Sequence, residues 1–562
     1  MSFKRLVLEC QQAMIPWCVD PKQWHGAVVD SHDMCVSIMP RLAAALNKTH
    51  HVSKSERFWH ILIGPWLVQF VGVVIDRSNL LRQRPRTYGS FDGVVQSRIV
   101  PRTVYESIKI VETEEFGDQI LQDIEQLLTH GRVDWLSLPT ETKRDHLVFH
   151  TEVDFIGPQR LLRNCFNIFN RLTTPKNATI VSNSSIPYKL HKELRDSVPS
   201  LHSIVPVQDP ASHYDLEPNL DARNNLTIGA SDRGADLEHI IDKMIPFYLP
   251  ICFLEGFERL AKISRKYPKS PKAILVGTEI YGRYESFCYW LANAAEDGTV
   301  VTSMQHGGTP GNEMASEFVF PEILAFDKFY SWGWRWPKYG LEIEKITPMP
   351  TMFLFGKSRD SAKVGVGILF VTTGIHNFVR RLCGSEGRPY SNGVYMALQK
   401  RFYESLSEND KVSLVVRLYP GDYGHNYKQN WQSFAPDLKF DSPNKQFDAS
   451  LAECALYVTD HLSTTWLEAL SKRKPTVIYL DFEQYDFTPE TALWMDRLKR
   501  IGVVHRSPES AAHHINCLQN DFATWWWSEE TQAELTAFLD VFAYQPEESI
   551  QLWAHELNSL VK

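Results

Sequence analysis

Most of the short motifs that identify a common enzyme class are missing from this sequence. It contains no G-x-x-x-x-G-K-[ST] loop, no G-x-G-x-x-G turn, no H-E-x-x-H helix and no G-x-S-x-G elbow. These absences argue against P-loop ATPases, dinucleotide oxidoreductases, zincins and serine hydrolases. No D-x-D triplet occurs either, so the usual acidic clamp for a divalent cation is missing. We therefore expect no metal site.

The chain also lacks a basic excess. Lys and Arg number 59 against 67 Asp and Glu, a formal net charge of −8, whereas a general nucleic-acid binder needs cations to neutralise phosphates. We therefore expect no nucleic-acid partner. The hydrophobic fraction of 43% and the charged fraction of 22% are typical of globular proteins. At 562 residues the chain is long enough for more than one domain.

Cysteine pairs and a leader sequence are absent as well. The nine cysteines are scattered without any C-x-x-C pair, which favours reduced thiols and argues against a zinc site. Near the N-terminus, Glu9 interrupts the apolar run Leu6–Leu8, so no signal peptide is predicted. We expect a cytoplasmic protein.

One long segment, Phe58–Ile75, contains no charged residue and could be either a membrane-spanning helix or a buried helix of the core. About 18 residues is the lower limit for a membrane-spanning helix. His60, Gln69 and the Gly64-Pro65 step inside the segment favour a buried helix that is broken at the proline. We predict that the segment lies inside the N-terminal domain and does not span a membrane.

Alternating β-branched runs and amphipathic stretches predict parallel α/β units. We place a first α/β domain at residues 1–355 and a second at 356–520. Residues 521–562 are predicted to be helices that pack across both domains. The predicted strands are 4–9, 178–183, 203–207, 273–277, 299–304 and 327–332 in the first domain, and 364–372, 412–418, 455–459 and 474–480 in the second.

The best candidate for ligand binding follows the strand that ends at Thr459. Ser463, Thr464 and Thr465 are strong N-cap residues, so their hydroxyls and free backbone N–H groups should meet at a helix start, which is suited to a phosphate. Arg417 ends a neighbouring strand at the same sheet edge. His461 and Glu468 flank the helix start and are assigned to the same site. In the alternative, Ser463 only caps the helix and Glu468 completes a capping box.

A second candidate is the glycine-rich loop after the strand 299–304. It reads Gln305-His306-Gly307-Gly308, and such glycines let a backbone approach a ligand closely. His306 is a candidate acid or base near neutral pH. Glu313 on the same loop and Glu279 at the adjacent strand end are candidate catalytic carboxylates. In the alternative, His306 only braces the loop.

These motifs resemble a known family. Arg57–Leu67 (RFWHILIGPWL) resembles the signature of the LIC-type family of bacterial surface-carbohydrate transferases, and Arg417–Tyr423 and Ser463–Glu468 fit its later motifs. The S-T-T-x-x-E-A helix start and the Q-H-G loop resemble GT-B glycosyltransferases. The resemblance implies an α/β, GT-B-like fold: two doubly wound Rossmann-like domains that face a cleft, with the C-terminal helices across both.

The family is similar to the bacterial transferases of 3-deoxy-octulosonic acid (Kdo), which use a CMP-activated donor. By this resemblance Arg417, Tyr419 and Ser463–Thr465 would hold the CMP phosphate. The relatives carry a histidine where this chain has Tyr419. The resemblance implies a metal-independent glycosyltransferase without a cofactor, which moves Kdo or a related ulosonic acid onto a lipid-linked or oligosaccharide acceptor of a bacterial surface glycan. We expect peripheral contact with the inner face of the inner membrane.

Three other functions fit the same motifs. A CDP-glycerol-type polyol phosphotransferase shares the architecture and the Q-H-G loop. A non-hydrolysing sugar-nucleotide epimerase is also GT-B-like, and it would need acidic residues around the reacting sugar. The third is a non-catalytic sugar-binding module of an export complex.

Overall fold

The computed structural model describes residues 2–85, 97–131, 133, 140–141, 158–182, 186–229, 236–282, 284–316, 319–338, 340–355, 365–382 and 388–562. Within these residues the chain forms a layer of N-terminal helices, two six-stranded parallel sheets and a group of C-terminal helices. The predicted boundary between residues 355 and 356 coincides with the start of the segment 356–364, which lies outside the described residues, and both predicted domain boundaries stay predictions.

The N-terminal layer consists mainly of helices. They are α1 (Phe3–Gln12), α2 (Pro16–Val19), α3 (Pro21–His50), α4 (Glu56–Gln83), α5 (Val104–Ile110) and α6 (Glu114–His130). Two short parallel strands, β1 (Arg98–Ile99) and β2 (Thr140–Glu141), pair beside them.

The segment 4–9, which the sequence predicts as a strand, lies in α1, so that prediction is wrong. The buried residues of α1 recur at helical spacing: Phe3, Leu6, Val7 and Cys10. The Ser2 hydroxyl accepts a hydrogen bond from the Arg5 N–H and caps the helix. A short apolar run does not distinguish a strand from a buried helix by its periodicity, and here packing against α6 and α4 decided.

The long apolar segment lies within α4 and is buried, as predicted. An 18-residue window of α4 is apolar enough to cross a membrane, but 89% of that window is buried inside the protein. The predicted break at Gly64-Pro65 is wrong, because α4 continues through Pro65. A proline removes one helical hydrogen bond. Packing against α3, α12 (Glu285–Glu296) and α13 (Val319–Ala325) keeps the helix intact around it.

The first large sheet has the order β4-β3-β5-β6-β7-β8, and all its strands are parallel. Its strands are β3 (Thr179–Ser182), β4 (Leu201–Ile204), β5 (Ala273–Val276), β6 (Val300–Met304), β7 (Lys328–Ser331) and β8 (Ile346–Pro348). Besides α12 and α13, the helices around it are α7 (Pro158–Thr173), α8 (Tyr188–Ser197), α9 (Leu220–Asn225), α10 (Asp236–Tyr248) and α11 (Phe257–Ser264).

The second large sheet has the order β11-β10-β9-β12-β13-β14, again all parallel. Its strands are β9 (Ile368–Val371), β10 (Leu414–Arg417), β11 (Lys439–Phe440), β12 (Leu456–Thr459), β13 (Thr476–Tyr479) and β14 (Val504–His505). The helices around it are α14 (Asn392–Ser405), α15 (Glu408–Ser413), α16 (Tyr427–Phe434), α17 (Phe447–Glu453), α18 (Thr464–Ser471), α19 (Pro489–Arg500) and α20 (Pro508–Leu518). The chain winds outward from β9 and then reverses at β12. Ligands of open α/β sheets bind outside the carboxyl ends of the strands at such a switch point.

The last helices connect the two halves. They are α21 (Phe522–Trp526), α22 (Glu529–Phe542) and α23 (Ser549–Ser559). α22 packs on α18 and α19, whereas α23 packs on α8 of the first half. On α23, the Trp553 indole N–H donates to the Pro350 carbonyl (2.8 Å), and the Glu556 carboxylate accepts from the Tyr330 hydroxyl (2.7 Å). The predicted GT-B-like class, two doubly wound sheets with C-terminal helices across both, is confirmed.

Candidate functional site

The glycine-rich loop follows β6 and is held by Gln305. The Gln305 amide N–H donates to the Gly307 carbonyl (2.9 Å). Its oxygen accepts from the Trp332 backbone N–H (2.9 Å) and from the Trp334 indole N–H (2.7 Å). Gln305 is buried and ties the loop to the chain that follows β7. It is therefore a brace for the loop.

His306 forms a pair with a carboxylate that the sequence analysis missed. Its Nε2 lies 3.0 Å from Oε1 of Glu322, which is fully buried on α13. The Tyr281 ring meets the imidazole edge-on, with 4.9 Å between the ring centroids. A buried carboxylate that binds one ring nitrogen fixes the tautomer and orientation of an imidazole. The only signal in the sequence is a single charge in the apolar run 319–325.

The two glutamates predicted beside His306 are both buried and are held in different ways. Glu279 is fully buried and accepts from the Ser182 hydroxyl (2.5 Å) and the Gly277 N–H (2.6 Å), so it joins the ends of β3 and β5. The backbone of Glu313 forms an antiparallel bridge with Phe487. Their catalytic roles stay predictions.

The buried Lys338 ammonium lies beside Glu313 and donates to its carbonyl oxygen. Burial lowers the pKa of Lys338 to about 8, and the Glu313 carboxylate opposes that shift. Lys338 therefore holds the end of the glycine-rich loop through the main chain of Glu313.

The glycine-rich loop crosses to the second sheet and lies against the start of α18. The Gly308 N–H donates to the Thr464 hydroxyl (3.2 Å). A Cβ atom on Gly308 would lie 3.3 Å from the Ser463 carbonyl oxygen and 3.1 Å from Leu467 Cδ1, so the close approach requires a glycine. Gly307 adopts φ +86°, which also favours glycine. The carboxyl edges of the two sheets therefore meet at this loop.

The predicted hydroxyl cluster does assemble at the start of α18. Ser463 is the N-cap residue, but its side chain makes no capping hydrogen bond. Its hydroxyl lies 3.0 Å from that of Thr465, which also accepts from the Tyr457 hydroxyl (3.0 Å). The arrangement differs from the alternative in which Ser463 only caps the helix. Glu468 is buried further along α18.

His461 and Asp460 lie between β12 and this helix start. Nδ1 of His461 accepts from the Ser463 N–H (3.2 Å), and burial lowers the pKa of His461 to about 4, so the ring is neutral at pH 7. The Asp460 carboxylate accepts from the Tyr395 hydroxyl (2.9 Å) and the Gln399 amide (2.8 Å). Burial nevertheless raises the pKa of Asp460 to about 7. Asp460 was not among the predicted site residues.

Arg417 is engaged elsewhere in the structure. Its guanidinium forms an ion pair with Asp441 and donates to the Lys445 carbonyl (2.9 Å). Burial tends to raise the pKa of Asp441, but hydrogen bonds from Ser450 and Arg417 outweigh it and lower the pKa. Tyr419 is half-exposed and stacks on Tyr423 (6.0 Å between centroids). Neither of these two residues, which were predicted to bind the donor nucleotide, contacts the start of α18. Their roles stay predictions.

Two pockets flank the meeting point of the sheets. The aromatic pocket has ≈ 930 Å³ of open space at the carboxyl edge of the first sheet. It is lined by Gly277, Thr278, Met304, Gln305, His306, Gly307, Tyr330, Ser331, Trp332, Pro350, Met352, Phe353 and Trp553. The rings of Trp332 and Phe353 are stacked in its wall, 5.8 Å apart. His306 is the one predicted catalytic residue among these lining residues.

The switch-point pocket has ≈ 680 Å³ of open space at the carboxyl ends of β9, β12 and β13. It is lined by Thr373, Ile375, Arg388, Ser391, Val394, Tyr395, Leu398, Asp460, His461, Tyr479, Asp481, Gln484 and Tyr485. Only His461 among them was a predicted site residue. The others come from separate turns and a helix, and nothing in the local sequence signals that they converge.

The described part of the chain contains no candidate metal centre. Within those residues, no group of three or more His, Cys, Asp or Glu side chains is arranged to hold a metal ion. The expectation of metal-independent chemistry stays a prediction.

The chain is similar to several solved structures at low identity. They include the wall teichoic acid polymerase TagF (10% identity, TM-score 0.34, 72% of this chain and 97% of that one). They also include MnaA of S. aureus, solved with UDP (11%, TM-score 0.35, 66% and 94%). The third is the spinosyn rhamnosyltransferase SpnG (12%, TM-score 0.33, 68% and 99%). Similarities this low identify no activity for this chain.

Sequence comparison gives a firmer result. No curated protein matches the chain at a significant level. The model of the LIC12162 family of transferases, however, matches residues 5–557, which is nearly the whole chain. The match confirms the resemblance drawn from the motifs. The chain thus belongs to the LIC12162 family of transferases.

Proposed function

We propose that this transferase is a glycosyltransferase that moves Kdo, or a related ulosonic acid, from a CMP-activated donor onto a bacterial surface-glycan acceptor. One observation carries the proposal: the loop that holds His306 lies directly on the start of α18, with Gly308 N–H 3.2 Å from the Thr464 hydroxyl. A candidate base and a candidate phosphate site thereby meet across one cleft.

On the donor side, the start of α18 binds the phosphate. Ser463, Thr464 and Thr465 bring hydroxyls to a helix start whose N-cap side chain is not used for capping. Free N–H groups and the helix dipole favour an anion there. The same groups stabilise the charge that develops on the departing nucleotide. The resemblance to Kdo transferases supports CMP as that nucleotide.

On the acceptor side, His306 removes a proton from the attacking hydroxyl. Glu322 binds Nε2 at 3.0 Å, which orients the ring and stabilises the imidazolium as it forms. The aromatic pocket beside His306 has stacked rings in its wall, and a glycan acceptor can pack its apolar faces against such rings. The acceptor is lipid-linked or an oligosaccharide.

The proposal includes a place for the reaction. The scattered cysteines without a C-x-x-C pair favour a reducing compartment, so we assign the protein to the cytoplasm, at the inner face of the inner membrane where a lipid-linked acceptor is accessible. No cofactor takes part beyond the donor itself. A membrane fraction that keeps the protein through high salt and alkaline washing would contradict peripheral association.

The test is a panel of CMP-, UDP-, GDP- and CDP-linked donors, with nucleotide release as the readout. We expect release from CMP-Kdo only, and its loss in His306→Ala. The matched control is His555→Ala, which removes an exposed histidine from α23. Turnover of CDP-glycerol would identify a polyol phosphotransferase instead, and epimerisation without transfer would identify an epimerase. Sugar binding without any turnover would leave only a binding module.

A further inference from the structure

The switch-point pocket contains a buried cation with one N–H group that is not used in a hydrogen bond to any described residue. Arg388 is 4% exposed, and its Nε and Nη2 both donate to Oε1 of Gln484 (3.1 and 2.8 Å). Among the described residues, its Nη1 has no hydrogen-bond partner and the guanidinium forms no ion pair. Burial lowers the pKa of Arg388, and the more distant carboxylates of Asp20 and Asp481 offset that shift only in part. A buried charge is unfavourable unless it is paired, so this arrangement suits a ligand that supplies the anion.

A second donor among the lining residues is also without a hydrogen-bond partner within the described part of the chain. The Tyr479 hydroxyl lies at the end of β13, the residue is 2% exposed, and the hydroxyl has no hydrogen-bond partner among the described residues. The guanidinium N–H and the phenol O–H both belong to residues that line the pocket. Two donors of this kind suit the two oxygens of a carboxylate.

The rest of the pocket suits a hydroxylated ligand. Asp460, Asp481 and Gln484 supply carboxylate and amide groups, and Ile375, Val394 and Leu398 supply an apolar face. Gln484 is held by its amide N–H on Asp481 (3.2 Å), so its oxygen is directed at Arg388. Acceptors for hydroxyl groups, an apolar face and one cation together describe an acidic sugar.

The pocket is separate from the phosphate position but joined to it. The ring of His461 lines the pocket, while its Nδ1 binds the N–H of Ser463 at the start of α18. A phosphate at the helix start therefore leaves Arg388 available for a second anion. A sugar attached to that phosphate would lie on the Arg388 side of His461.

The pocket is also close to the glycine-rich loop. The chain that leaves Gln484 pairs with the end of that loop two residues later, where the Met314 N–H donates to the Asp486 carbonyl (2.9 Å). The Thr488 N–H donates in turn to the Asn312 carbonyl (3.0 Å). The pocket wall and the loop of His306 thus form one connected structure.

From these contacts we infer that the switch-point pocket binds the sugar of the donor, and that Arg388 and Tyr479 bind the carboxylate of that sugar. Arg388 thereby selects acidic over neutral sugars. The inference rests on the proposed function, because it assigns a residue to the sugar that the proposed reaction transfers.

The test measures binding without turnover. Calorimetry with free Kdo, Kdo methyl ester and inorganic phosphate, each with and without CMP, is applied to the wild type and to Arg388→Gln. Tyr479→Phe is a more conservative variant because it removes only the hydroxyl. Thermal unfolding shows whether each variant is folded. Arg401→Gln is the matched control, since Arg401 lies exposed on α14 and pairs with Glu509.

We expect the wild type and Arg401→Gln to bind Kdo, and the methyl ester or Arg388→Gln to reduce that affinity about tenfold or more, as for a lost charge-assisted hydrogen bond. Tyr479→Phe should lower it less, and the CMP affinity should not change. Equal binding of acid and ester by the wild type, full Kdo affinity in a folded Arg388→Gln, or equal competition by phosphate would overturn the inference. Absence of Kdo binding would also overturn it. In that case CMP binding, or nucleotide release from a neutral-sugar donor, shows whether the transferase proposal survives.

Discussion

The carboxyl edges of the two sheets are built differently. At the edge of the first sheet, His306 is paired with Glu322, and Gln305 is hydrogen-bonded to the chain after β7. At the edge of the second sheet, Arg388 and Tyr479 each keep a donor group that has no hydrogen-bond partner among the described residues, and the Ser463 side chain does not cap its helix. The first edge is arranged to hold a reactive side chain still, and the second to receive a ligand.

The largest effect should come from breaking the first edge. His306→Ala should lower turnover about a hundredfold or more, because it removes the group that accepts the proton. Glu322→Gln should lower kcat by less and leave KM unchanged, since glutamine keeps the contact but not the charge that stabilises the imidazolium. Initial rates of nucleotide release measure both.

The opposite pattern would reassign the chemistry. If His306→Ala stays within a few-fold of the wild type while Glu279→Gln or Glu313→Gln abolishes turnover, His306 is structural and a carboxylate is the base. Both glutamates are buried, so their variants also need a check of thermal unfolding before a loss of turnover is interpreted.

The second effect concerns the α18 start on the other edge. Ser463→Ala combined with Thr464→Ala should weaken nucleotide binding by about 1–3 kcal/mol, as for lost hydrogen bonds to a charged group. Isothermal titration with CMP measures it. An unchanged CMP affinity in the double variant would contradict a phosphate site at the start of α18.

Arg417→Met gives the comparison for that measurement. Because Arg417 pairs with Asp441 in the structure, we expect a lower thermal stability, and its predicted role at the phosphate adds a lower CMP affinity. A loss of affinity in Arg417→Met would mean that the guanidinium leaves Asp441 for the phosphate.

What the sequence predicts well here is local. The hydroxyls of Ser463 and Thr465 meet because they are consecutive residues of one helix start, and the strands around them follow from short β-branched runs. Glu322 and Arg388 were missed because their partners, His306 and Gln484, are brought to them by the tertiary fold. No local pattern carries such contacts.

The errors have the same origin. The run 4–9 and the proline in α4 were both interpreted from local preference, and packing against neighbouring helices overrode it in each case. The role of Arg417 stays a prediction; it lies at the predicted sheet edge, and its pairing with Asp441 depends on the end of β11, which is not a local property either. Sequence reasoning therefore located the edges and could not assign partners across them.

A third, comparable effect is the pH dependence that burial gives Asp460. Its pKa is about 7 in the folded protein against 3.8 for an ordinary aspartate carboxyl, so between these values the folded state binds more protons than the unfolded state. Stability from this group is present at low pH and is lost as pH rises towards 7. The loss between pH 5 and pH 7 should be about 2 kcal/mol.

Asp460→Asn should remove that slope. Urea unfolding at pH 5 and pH 7 measures it, with Asp437→Asn as the control at an exposed aspartate. The variant is expected to gain stability relative to the wild type as the pH rises. An identical slope in wild type and Asp460→Asn would mean that Asp460 is not the buried acid responsible.

The smallest expected effect is that of a chelator. The charge on the departing nucleotide must be neutralised by something, and in this protein the α18 start offers hydroxyls and N–H groups for that purpose. The sequence has no D-x-D triplet, and the described residues contain no cluster of His, Cys, Asp or Glu suited to a metal ion. Turnover should therefore be unchanged in millimolar EDTA. If EDTA lowers turnover and Mg²⁺ or Mn²⁺ restores it, the edge of the second sheet binds its ligand together with a cation. In that case the hydroxyls and N–H groups of the protein are not sufficient to neutralise the departing nucleotide.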